Sequence, residues 1–191
     1  MDKTRELSKI DDEIRKCAIC RKWGRGKAVP GEGCPDARIV FVGEAPGKEE
    51  AATGRPFVGR SGRLLRAMIR EIGLDEDDVF ITSPVKYLPL GGTPSVENIR
   101  HGRVHLQRQL SVIGPKVIVL LGNTACFALF DRKLRLTSEH GTFIEKGERT
   151  HLITFHPAYA LRFPLGKQGL IADFRKLEDL LSLRRLTGKN T

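Results

Sequence analysis

The chain has 191 residues, with 33 Lys and Arg against 23 Asp and Glu, a formal charge of +10. That length suits one domain with a real core, and the surplus charge suits a polyanionic partner. No run approaches the ~18 apolar residues of a membrane helix, and the opening MDKTRELSKIDDEIRK has no signal-peptide character.

A protein with no membrane partner, intracellular and cytoplasmic, is therefore expected. Its four cysteines then point to metal, cluster or packing roles rather than a disulfide scaffold. Residues 4–16 read as a charged amphipathic helix with Leu7, Ile10 and Ile14 on one side. It runs into Cys17-Ala18-Ile19-Cys20, and Arg21–Gly33 reads as a loop, with basic residues among glycines. Ile39–Val42 has the β-branched, apolar character of a buried strand. The next twenty residues, 43–62, hold five glycines, two prolines and three carboxylates. A loop of that length inside a compact domain is usually functional. A helix follows, with Leu64, Leu65, Met68, Ile69 and Ile72 on one stripe.

Val79–Ser83 is the second expected strand, and Pro84–Pro94 a second long loop. Ser95 is the expected N-cap of a helix reaching about Ile113. Val117–Leu121 is the third strand, and Gly122-Asn123-Thr124 leads into a helix holding Cys126, placed in the core by its apolar neighbours. After a basic stretch, His151–Phe155 is the fourth strand, ending at His156-Pro157. The last helix runs from about Lys167 to Arg185, and 187–191 should fray. Short apolar strands alternating with helices, without hairpin signals, argue a three-layer α/β/α domain around a four-stranded parallel sheet. One domain over 1–191 is expected, a monomer with 1–37 packed on it.

Three loops should meet at one edge of such a sheet: Glu44–Gly62, Ser83–Pro94 and His156–Pro164. A P-loop, a dinucleotide fingerprint and a nucleophile elbow are all absent from them. What they do carry is a carboxylate (Glu44), an aromatic (Phe57), a small hydroxyl (Ser83) and an imidazole (His156). Such a set can hold a flat polar ring and activate water.

The motifs GEAPG (43–47), GRPFVG (54–59), ITS-x-VK (81–86), PKVIVLLG (115–122) and HPAYALR (156–162) together resemble the family 4, iron–sulfur uracil-DNA glycosylases. The resemblance covers nearly the whole chain and implies base-excision DNA repair: a hydrolase that flips uracil from single- or double-stranded DNA and cleaves its N-glycosidic bond. It implies catalytic roles for Glu44 and His156, and base contacts from Gly43, Ala45, Phe57 and Ser83. For Glu50 the resemblance implies a loop carboxylate, and Glu49 and Glu50 read equally well as a solvated face. DNA contacts are expected from Arg60, Ser61, Gly62, Arg63 and Lys86. Leu161 is the implied wedge, with simple packing as its other reading, and Arg162 a phosphate or groove contact.

Two departures stand out. Most family members carry Asn where this chain has Ser83, and a hydroxyl cannot reproduce the paired donor and acceptor of an amide. The alternative reading is therefore a nucleic-acid-binding member of the fold that is inactive on uracil or takes another deaminated base. The resemblance also implies a 4Fe–4S cluster on four cysteines, not needed for the chemistry itself. Here two of those positions read Tyr87 and His101, leaving Cys17, Cys20 and His101 as the expected metal residues. The Cys pair is a relic, part of a rearranged site, or a zinc pair. His105, His140 and His151 carry no clear role, and the first two read as surface residues.

Overall fold

The computed structural model of the chain describes residues 2–184; the expected fraying of 187–191 lies outside them. Helix α1 (Lys3–Lys16) is capped by Asp2, whose carboxylate accepts the Arg5 amide at 3.0 Å. Its apolar residues Leu7, Ile10 and Ile14 are buried as the spacing predicts. A second helix, α2 (Ala18–Trp23), then begins within the cysteine pair, where a loop was expected from Arg21.

The short strands β1 (Gly24–Arg25) and β2 (Glu32–Gly33) follow before β3 (Ile39–Val42). The long polar loop after β3 is broken by α3 (Lys48–Thr53) and ends in α4 (Arg60–Glu71). Next come β4 (Val79–Thr82), β5 (Leu88–Pro89) and α5 (Val96–Ile113), with Ser95 and Asn98 forming a reciprocal capping box. Strand β6 (Val117–Leu121), α6 (Asn123–Phe130) and α7 (Leu136–Glu139) precede a hairpin of β7 (Phe143–Lys146) and β8 (Arg149–Thr154). The chain closes with α8 (Pro157–Ala160) and α9 (Pro164–Arg184).

The sheet has six strands in the order β2-β4-β3-β6-β8-β7. Its four central strands are the expected ones, all mutually parallel. The two edge strands run antiparallel and were not foreseen. Lys146-Gly147-Glu148-Arg149 makes the hairpin turn, with Gly147 at φ +62°, and a Gly-X pair there matches the twist of two strands. The exposed, charged β7 covers the edge of β8.

Strand residues alternate between two apolar layers. Phe41, Ile81, Val119 and Leu152 face α4 and α9, meeting Leu65, Ile69, Phe174 and Leu177. Val40, Val42, Ile118 and Ile153 face α1, α5 and α6, meeting Leu7, Leu106, Leu110 and Cys126. The parallel order places the reversal between β3 and β6. In open α/β sheets ligands bind beyond the carboxyl ends of the strands at such a reversal. No helix among the described residues is long and apolar enough to cross a membrane.

Candidate active site

A cleft of about 360 Å³ opens beyond the carboxyl ends of β3, β4 and β8. That volume lies within the range of small-molecule sites. Glu44, Ala45, Phe57, Ser61, Ser83, His156 and Arg162 all line it, seven of the residues expected from the sequence.

Glu44 follows β3 after one residue, Gly43. Its Oε2 accepts the Thr124 hydroxyl at 2.9 Å, a bond that crosses the strand-order reversal and fixes the carboxylate. His156 follows β8 and caps α8, its Nδ1 accepting the Ala158 amide at 3.1 Å. An accepting Nδ1 places the proton of a neutral imidazole on Nε2. Burial lowers the His156 pKa, opposed by the carboxylates of Glu44 and Glu50, so the neutral donor form persists near pH 7. Gly122 lies against it at φ +91°, where a Cβ would come within 3.1 Å of the His156 Cβ.

Phe57 holds an unusual backbone, φ +52°, which costs a bulky residue on the order of 1–3 kcal/mol. Its surroundings impose it. Gly62 of α4 packs on the Phe57 backbone so tightly that a Cβ would sit 2.1 Å from its carbonyl. Arg66 donates to the Phe57 and Pro56 carbonyls at 3.0 and 2.8 Å, and is itself ion-paired with Glu32 and Glu76. Glu50 completes the support: buried, it accepts the amides of Gly47, Val58 and Gly59 at 3.0, 2.9 and 2.8 Å. The solvated-face reading of Glu50 is thereby overturned, while Glu49 is exposed. The ring that results lies 5.8 Å from that of His156, tilted by 32°.

Gly43 does not line the cleft. A Cβ there would come within 2.5 Å of the Phe57 ring, so its bare backbone makes room for that ring. Ser83 is buried, and its hydroxyl donates to the Val85 carbonyl at 2.8 Å. With its proton committed, Ser83 presents lone pairs to the cleft.

Of the expected DNA contacts, Arg60, Arg63 and Arg162 are exposed, Arg162 lining the cleft, and Leu161 is half-buried at the end of α8. Arg60, Ser61 and Gly62 open α4, whose first turn has neither an acidic residue nor a side-chain cap. Arg63 already donates to the Val58 carbonyl at 3.1 Å and pairs with Glu49.

Lys86 is a correction. It is 1% exposed, and its ammonium donates to the Pro30 carbonyl, the Thr82 hydroxyl and the Gln109 amide oxygen at 2.7–2.8 Å. Burial lowers its pKa to about 7. It ties the segment before β2 to β4 and α5, and has no access to a phosphate.

The expected metal residues gather elsewhere. Cys17, Cys20 and His101 stand together, and His105, read from the sequence as a surface residue, joins them buried. The four donor atoms lie within 4.8 Å of one another. A four-thiolate cluster does not fit this set. Tyr87, at the third cysteine position, donates to the Ile14 and Arg15 carbonyls at the end of α1. Cys126 is fully buried in an apolar layer and Cys34 packs against it, neither belonging to the four-residue group. His140, also read as a surface residue, is half-buried with its Nδ1 3.0 Å from the buried Asp173.

Comparison with known proteins places these features. A profile for the uracil DNA glycosylase superfamily matches residues 30–178. A type-4 uracil-DNA glycosylase of Sulfurisphaera tokodaii is 42% identical over 185 residues, covering 91% of this chain and 84% of that protein. One of Saccharolobus solfataricus is 40% identical over 196 residues, covering 96% and 90%. One of Thermotoga maritima is 43% identical over 157 residues, covering 80% and 82%. With the sheet, the cleft and these matches in agreement, the chain belongs to the uracil DNA glycosylase superfamily.

Proposed function

We propose that this protein is a monofunctional DNA glycosylase of cytoplasmic base-excision repair, hydrolysing the bond between N1 of uracil and C1′ of deoxyribose. The observation that carries this reading is the convergence of Glu44, Phe57, Ser83 and His156 on one cleft of about 360 Å³, with the His156 Nε2–H as its donor. The relatives named as type-4 uracil-DNA glycosylases support the substrate.

Breaking the bond leaves positive charge on the sugar and sends the electron pair into the base, where it spreads onto O2. The anchored Glu44 carboxylate stabilises the sugar cation and orients the water that attacks C1′. That water forms the new C1′–O bond and gives up a proton to solvent, while the departing uracil anion takes one up at N1, leaving an abasic site and free uracil. His156 meets the charge on O2 with a fixed N–H that needs no reorganisation, a contribution worth ~10²–10³ in rate at comparable sites. Phe57 stacks on the flipped ring, a contact that any base can make. Ser83 accepts the uracil N3–H.

A duplex or single strand reaches this cleft through phosphate contacts. The open first turn of α4 offers amides of Arg60, Ser61 and Gly62, and Arg60, Arg63 and Arg162 supply charge around it. Leu161 fills the space of the departed base. A second reading draws on Ser83: an acceptor there suits the N1–H of hypoxanthine as well as uracil N3–H, so another deaminated base is a competing substrate. The test is a pair of oligonucleotides, one bearing a single uracil and one a single hypoxanthine, each treated with the protein and then with alkali. Strand cleavage at the uracil with release of the free base is expected. An intact uracil strand refutes the reading, and cleavage only at hypoxanthine favours the second.

A further inference from the structure

The residues at the cluster position form a different site from the one the family resemblance implies. Cys17 and Cys20 have the C-x₂-C spacing, and His101 and His105 sit one turn apart on α5 as H-x₃-H. Those spacings are the ones that structural zinc sites use. The Cys17 sulfur caps α2 by accepting the Cys20 amide, and lies 3.1 Å from the His101 Nε2.

His105 supplies an independent observation. It is 8% exposed, yet neither ring nitrogen has a hydrogen-bond partner among the described residues. A buried polar atom left unpaired costs ~1–3 kcal/mol. A metal–nitrogen bond removes that cost, and it accounts for an imidazole placed beside two thiols and a second imidazole.

Geometry selects the occupant. Bonds of ~2.0–2.3 Å to one tetrahedral ion hold donor atoms roughly 3.3–3.8 Å apart. The donors here need only a small closure to reach that spacing. The cysteines of a cubane stand at its four corners, one per iron, and do not converge on a point. A Rieske-type 2Fe–2S centre puts two thiolates on one iron and two imidazoles on the other. That would separate Cys17 from His101, which touch.

We propose that Cys17, Cys20, His101 and His105 bind a single zinc ion, replacing the iron–sulfur cluster with a closed Cys₂His₂ site. All four positions are filled by protein, so the ion is structural. It staples the junction of α1 and α2 to α5, beside the Val85–Tyr87 segment that leaves β4. This inference does not depend on the glycosylase reading.

The test uses tag-free, full-length protein. Elemental analysis should give one zinc per chain with no acid-labile sulfide. X-ray absorption at the zinc edge of the parent protein should count two sulfur and two nitrogen ligands, which needs no variant to fold. Cobalt(II) in place of zinc should give thiolate charge-transfer bands and tetrahedral ligand-field bands. His105→Leu should lose the tetrahedral spectrum and weaken zinc binding at least ~10–100-fold, the loss seen even for outer-shell changes. Cys34→Ser and Tyr87→Phe should change neither. Iron with stoichiometric sulfide, a ligand count of four sulfurs or one nitrogen, no zinc bound, or unchanged zinc affinity in His105→Leu would each overturn the proposal.

Discussion

Removing the Glu50 carboxylate should release the loop that shapes the cleft. That group accepts three backbone amides from both ends of the segment between β3 and α4. Hydrogen bonds to a charged acceptor contribute ~1.5–3 kcal/mol each. Glu50→Gln keeps one oxygen, which can still serve Val58 and Gly59 more weakly, but turns an N–H donor toward the Gly47 amide. We expect a loss of about 2–3 kcal/mol. Glu50→Ala leaves three amides without an acceptor and should cost about 3–5 kcal/mol, water recovering part of the sum. For a chain of this size each kcal/mol moves the melting temperature by ~2–4 °C. The left-handed Phe57 then loses part of what holds it, so excision should fall further than stability predicts. The assays are thermal unfolding and single-turnover excision of uracil on both variants. A Glu50→Ala protein that melts and reacts like the parent would refute the argument that this carboxylate builds the loop.

Three further outcomes follow from the site. Ser83→Asn restores a paired donor and acceptor, a gain of ~1–3 kcal/mol; uracil O4 and N3–H and hypoxanthine O6 and N1–H present the same pattern to it, so single-turnover excision of both bases should rise ~5–150-fold, and unchanged rates would mean that position 83 does not read the base. His156 should carry its proton on Nε2 at pH 7 and titrate below its ordinary ~6.5, because burial disfavours the cation. Its contribution to stability is then complete above that value and lost as pH falls through the lowered one; nitrogen chemical shifts that show an Nδ1–H tautomer, or a midpoint at or above 6.5, would contradict this. Affinity for DNA should fall steeply with salt, and Arg60→Gln should reduce the slope of log affinity against log salt by ~0.9, one phosphate contact; a flat plot would remove the phosphate role.

The central sheet was readable because its strands are short, continuous apolar runs bounded by turn residues, and buried parallel strands look like that. The edge strands escaped for the same reason in reverse. Strand β7 is charged and exposed, Phe-Ile-Glu-Lys, and its one legible signal was Gly147-Glu148 between it and β8. Glu44, Phe57, Ser83 and His156 were legible because each sits at a strand end or in a glycine-rich loop. Lys86 was misread because residue type carries charge but not burial. Only the fold brings Pro30, Thr82 and Gln109 around its ammonium. Arg66 and Thr124 were missed because their partners, Phe57 and Glu44, lie in other elements. His105 was overlooked although its four-residue spacing from His101 on a helix was visible in the sequence. What hid it was the junction of α1 and α2, which carries both cysteines to that face.

The central claim is that charge developing on sugar and base is met by Glu44 and His156, with Phe57 holding the base. Single-turnover excision from a one-uracil oligonucleotide by the parent, Glu44→Ala, His156→Ala and Phe57→Ala tests it most directly. His156→Ala should slow the chemical step by ~10²–10³, the value of one preorganised donor, and Glu44→Ala should slow it at least as much. Phe57→Ala should act mainly on binding, by ~1–3 kcal/mol for one lost stacking contact. Excision at the parent rate by both Glu44→Ala and His156→Ala would contradict the account.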